Sequence, residues 1–83
     1  MREFQMLLLM APDTQLDESV KPLIEKWSDP PKALEILEVV DQVVRYALGS
    51  DFTVRVFDHL LKAAIVREST TMEEVVKQAT WRE

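Results

Sequence analysis

The sequence predicts an all-α fold, with four to five short helices packed around a central helix at about residues 30–48. Apolar residues recur at helical spacing in most segments of the chain. The central segment is apolar over roughly two thirds of its helical circumference, far more than the stripe of about 100° that a surface helix needs. No linker or repeat divides the chain, so residues 1–83 are predicted to form one domain.

The central helix is predicted from one broad apolar arc, which Leu34 widens on one side and Val39 and Tyr46 widen on the other. The other residues of the arc are Ala33, Ile36, Leu37, Val40, Val43, Val44, Ala47 and Leu48. Val40 and Val44 lie near the middle of the arc, and we therefore expect both to be almost fully buried.

Local signals predict where this helix begins and ends. Asp29 is a favourable N-cap with Pro30 at the first helical position. Gly49 follows the last apolar residue, where a left-handed residue is expected.

The segments before the central helix are less regular. Residues 1–10 fit a strand by alternation and a helix by spacing, and we favour a helix ending before Pro12, because Leu and Met are good helix formers. A second helix is predicted over residues 16–27, with Pro22 limiting where it begins. Trp27 continues its apolar edge and is expected in the core.

Two further helices are predicted after the central one. The first covers residues 53–67, with Ser50 or Asp51 as its cap. The last has an apolar stripe over residues 72–79. Thr71 followed by Glu74 has the spacing of a capping box, and Thr70 with Glu73 is a second possible register.

Composition argues against catalysis and against bound groups. The chain has no cysteine, one histidine and one glycine, so thiolate metal sites, zinc sites of the usual kind and Gly-rich phosphate loops are not expected. We therefore predict no metal, no cofactor and no enzymatic activity. The lack of cysteine and the absence of a long apolar run predict a cytoplasmic protein that does not enter membranes.

Two titratable residues are interpreted as structural. His59 has no nucleophile beside it and is expected to lie on a polar surface. Asp41 intrudes on the rim of the central arc, where a carboxylate needs a cationic partner or solvent, so we predict an ion pair or an exposed position.

The remaining interpretation is a small acidic protein that acts through protein–protein contacts as an adaptor, inhibitor or regulatory subunit. Tyr46, Val39 and Trp81 are the candidate partner-facing residues, since exposed aromatic and apolar side chains are enriched at interfaces. The central helix needs cover on several sides, and its neighbours are short. We therefore expect a homodimer as well as a protein partner of unknown identity.

A second possibility comes from residues 52–79. FTVRVFDHLL resembles the opening of ribbon-helix-helix repressors and antitoxins, and TMEEVVKQA resembles the start of their second helix. The resemblance implies a dimeric DNA-binding regulator with a short strand whose Thr53 and Arg55 face the DNA groove. Binding to nucleic acid is nevertheless not expected, because the formal charge is −5 and residues 1–51 hold ten acidic against five basic residues.

Overall fold

The computed structural model describes residues 18–79, and the predicted N-terminal helix, together with Trp81, lies outside them. Within these residues the protein is all-α, with no β-strand. A 3-10 turn at Glu18–Val20 leads into α1 (Lys21–Ile24), followed by α2 (Ala33–Tyr46), α3 (Asp51–Arg67) and α4 (Met72–Gln78). Helix α2 contacts both α3 and α4.

The core lies where α1 and the turn after it meet α2 and α3. The rings of Trp27 and Phe57 pack edge to face, with their centroids 5.5 Å apart. The burial predicted for Trp27 is therefore confirmed, with 2% of its surface exposed. The other apolar residues of this core are Val20, Ile24, Ala33, Ile36, Leu37, Val39, Val43, Leu61, Ala64, Val75 and Ala79.

The two ends of α2 differ from the prediction. The helix begins at Ala33 with Lys32 as its N-cap, so Asp29 does not cap it. It ends at Tyr46, and the left-handed residue is Ala47, with a φ of 51°, while Gly49 has no positive φ. The Leu48 amide bonds back to the Val43 carbonyl, which closes the end of the helix two residues before the position that Gly49 predicted.

The burial predicted for Val44 is wrong. Val44 is 62% exposed and Val40 is only partly buried, whereas Val43 is 2% exposed. The buried face of α2 turns toward Val39 in the second half of the helix. Packed helices cross one another, so a contact line does not follow a fixed arc to the last turn.

The later helices begin as the sequence predicts. The Ser50 side chain accepts a hydrogen bond from the Thr53 amide at the start of α3, at 3.4 Å. The Thr71 hydroxyl accepts one from the Glu74 amide at the start of α4, at 3.2 Å. These side chains satisfy backbone N–H groups that have no partner inside their helix.

Candidate interaction surface

The last turn of α2 is the part of this helix that presents large apolar side chains to solvent. Val44 is 62% exposed and Tyr46 is 63% exposed. Two positions along a helix correspond to about 200° of rotation, so the two side chains lie on different sides of the turn. Ala47 is also exposed. We call Val44, Tyr46 and Ala47 the α2 end patch.

The predicted partner-facing residues Tyr46 and Val39 differ in their exposure to solvent. Tyr46 is exposed and belongs to the α2 end patch. Val39 is 4% exposed and lies in the core, so it does not belong to an exposed apolar patch, and its role as a partner-facing residue stays a prediction. Its position at the edge of the apolar arc made it a candidate, but the buried face of α2 turns toward that edge.

The charged residues near the α2 end patch pair with each other. The Arg45 guanidinium lies 3.0 Å from the Asp41 carboxylate, whose side chain is only 15% exposed. The structural ion pair predicted for Asp41 is confirmed. The pair itself carries no net charge.

The remaining titratable candidates are surface residues. His59 is exposed, as expected, and neighbouring Asp58 pairs with Lys62 at 3.0 Å. Within residues 18–79 no three histidine or carboxylate side chains converge in a way that could hold a metal ion.

The strand that the ribbon-helix-helix resemblance implies is contradicted. Residues 51–67 form one helix, α3, and the predicted alternation of inward and outward residues does not occur. Thr53 is fully buried and cannot face a DNA groove, whereas Arg55 is exposed. A β-branched run fits a strand or a helix, and here the Ser50 cap and the four-residue spacing of Thr53, Phe57 and Leu61 produce a buried helical face.

A narrow cleft lies between the α1 turn and one side of α2. Its volume is about 110 Å³. Its apolar walls come from Leu23, Trp27 and Val39, and its polar lining includes Lys26, Glu38 and Gln42.

Glu35 fixes the geometry of this cleft, which it also lines. Its carboxylate accepts hydrogen bonds from the backbone N–H groups of Ser28 and Lys32, each at 2.9 Å. Its backbone carbonyl accepts the indole N–H of Trp27 at 3.2 Å. Partial burial acts to raise the pKa of Glu35, but the hydrogen bonds from Lys32 and Ser28 outweigh it, and the pKa lies below its ordinary value.

This role of Glu35 was not predicted from the sequence. Glu35 stands at the N3 position of α2, where a glutamate can reach back to the N-cap amide. This signal would have identified its role once the helix start was placed at Ala33. The predicted start at Pro30 put Glu35 in the wrong register.

A second set of contacts joins the beginning of α2 to the end of α3. The Glu68 carboxylate accepts the Ala33 amide at 2.6 Å, and the Arg67 guanidinium donates to the Pro31 carbonyl. A carboxylate at a helix N-terminus is also favoured by the helix dipole. These partners are 35 and 36 residues apart, so no local sequence pattern could predict them.

Comparison with known proteins gives no relative from which a function could be inferred: no protein-family model, curated protein or solved structure matches the chain. Among the described residues, no helix combines the length and apolar character needed to span a membrane.

Proposed function

We propose that this protein acts by binding other proteins and performs no catalysis, as a small adaptor, inhibitor or regulatory subunit. The observation that carries the proposal is the α2 end patch, where Val44 and Tyr46 each leave more than half of their surface in solvent. A lone exposed apolar residue is ordinary, but two large ones within the last turn of one helix favour a contact surface, although they lie on different sides of the turn.

We propose that the α2 end patch binds a second copy of the chain, giving a dimer with twofold symmetry. One self-complementary patch is enough to form such a dimer, which is the commonest oligomer. The protein has a net charge of −5, so two copies repel each other at a distance. The α2 end patch reduces that penalty at the contact, because Asp41 and Arg45 beside it pair internally.

Two further expectations belong to the same proposal. We propose that α2 is the packing centre of the whole chain, supported by its contacts with both α3 and α4. We also propose a cytoplasmic location, for which the support is the absence of cysteine from the sequence.

Sedimentation equilibrium of the full chain tests the dimer. We expect the wild type to exceed its monomer mass of 9.6 kDa at micromolar concentration. Val44→Asp should return it to the monomer mass, because the contact would bury an unpaired charge. Val66→Asp is the matched control: Val66 is 79% exposed on α3, so the same substitution there should leave the dimer intact.

Two results would count against the proposal. A wild-type mass of 9.6 kDa up to roughly 100 μM would exclude a dimer of micromolar affinity. An equal loss of association in Val44→Asp and Val66→Asp would show that added negative charge, and not the α2 end patch, controls self-association.

A further inference from the structure

The cleft beside Trp27 is a second surface, separate from the α2 end patch. Its volume of about 110 Å³ is well below the range of about 300–1,000 Å³ typical of small-molecule sites. It therefore matches one side chain of a partner protein.

The lining indicates which side chain fits. Leu23, Trp27 and Val39 provide apolar walls for an aliphatic stem. Glu38 and Gln42 provide a carboxylate and an amide oxygen for a group that donates hydrogen bonds. Glu38 is exposed and makes no ion pair with another residue of 18–79.

The charge around the cleft favours a cation. Residues 18–51, which contain the whole lining, hold seven acidic and four basic residues, a net charge of −3. The lining itself has two carboxylates, from Glu35 and Glu38, against the single ammonium of Lys26. Glu35 is already engaged by Ser28 and Lys32, which leaves Glu38 as the carboxylate facing an incoming group.

From this geometry we infer that the cleft binds an arginine side chain from a partner protein, with the stem against Leu23 and Val39 and the guanidinium on Glu38 and Gln42. A guanidinium suits this pair of acceptors because its planar fork donates in two parallel directions. The inference deepens the proposed function, since it assumes that the protein acts by contact with other proteins. It names the chemistry that such a partner presents.

The test uses the full chain and N-acetyl-arginine amide as the probe, followed by two-dimensional ¹H–¹⁵N NMR. The Trp27 indole N–H, which donates to the Glu35 carbonyl at the cleft wall, reports binding. A Trp81→Phe variant assigns its resonance by removing the other indole. N-acetyl-citrulline amide is the neutral comparator, because it keeps the stem and replaces the guanidinium with a urea.

We expect the arginine probe to bind about twofold to fivefold more tightly than the citrulline probe, the range of an exposed ion pair. Glu38→Gln should remove this preference, and Lys26→Gln should increase it by removing the competing cation. Glu74→Gln is the matched control: it deletes the same charge on α4, which does not line the cleft, and should leave the preference unchanged.

Equal affinity for the two probes, or an equal effect of Glu38→Gln and Glu74→Gln, would overturn the inference. No movement of the Trp27 resonance with either probe would overturn it as well. These results are independent of the sedimentation test. Failure of the cleft to bind arginine would leave the dimer proposal standing, and a monomeric protein could still show the arginine preference.

Discussion

The same substitution at the adjacent residues Val43 and Val44 should reduce the stability of the protein by very different amounts. Val43 is 2% exposed and Val44 is 62% exposed. Both lie near the C-terminal end of α2, so an aspartate at either position meets a similar unfavourable helix dipole, worth about 0.3–1 kcal/mol. The difference between Val43→Asp and Val44→Asp therefore isolates burial.

The expected magnitudes follow from that exposure. Removing the two methyl groups of Val43 from the core costs about 1.6 kcal/mol at about 0.8 kcal/mol each, before any cavity term. A buried carboxylate without a partner adds several kcal/mol. At about 0.05–0.15 kcal/mol per residue, 83 residues have a total stability of about 4–12 kcal/mol, so Val43→Asp should largely unfold the protein.

Val44→Asp should remain folded. Most of its side chain is already in water, so the lost transfer energy is below about 1 kcal/mol. With the dipole penalty the total is below about 2 kcal/mol, so the melting temperature should fall by no more than about 15 °C. Thermal unfolding followed by circular dichroism, at a concentration where both variants are monomeric, measures the two effects. A similar large loss in both variants would show that Val44 is buried after all, and the assigned rotation of α2 would be wrong.

Three further predictions concern the ends of the helices. Ala47→Gly should raise the free energy of unfolding, measured by urea denaturation, by about 0.5–1 kcal/mol, because glycine adopts the left-handed conformation without strain. Ala63→Gly, at an exposed position within α3, should lower it by about 1 kcal/mol, and a change of the same sign in both variants would refute the prediction. Glu35→Gln should destabilise the protein at pH 7. Since the folded-state pKa is depressed, this difference should be complete above the ordinary value of 4.5 and disappear as the pH falls through the lower folded-state pKa; a gap that persists in acid would contradict the assignment. Glu68→Ala should cost about 1 kcal/mol and speed hydrogen exchange at the Ala33 amide, and unchanged exchange there would exclude the contact.

Local chemistry was sufficient to predict the helices after residue 49. Ser50 and Thr71 lie just before apolar periodic segments and make their capping bonds within three residues. Because each capping residue and its hydrogen-bond partner lie close together in the sequence, the local sequence is enough to predict where these helices begin. Thr53 is fully buried at the start of α3, which its polar side chain did not indicate.

The ends of α2 could not be placed in this way, because the local signals at Asp29 and Gly49 favoured the wrong residues. Asp29 and Lys32 can both precede a helix, and the Glu35 and Glu68 contacts decide for the later start at Ala33. The exposure of Val44 depends on the direction in which neighbouring helices cross α2. A periodic pattern in one helix contains neither its contacts with residues of another helix, such as Glu68, nor the direction in which the two helices cross.

The two ends of α2 consequently have separate roles. At the beginning, hydrogen bonds of Glu35 connect the helix to the preceding turn, and hydrogen bonds of Glu68 and Arg67 connect it to the end of α3. At the other end, the α2 end patch leaves its largest side chains in solvent. Changes at the beginning should therefore reduce stability while the α2 end patch stays unaltered, and changes in the patch should alter association while the fold persists. This separation makes the proposed function accessible to mutation, since loss of binding can be measured in a protein that is still folded.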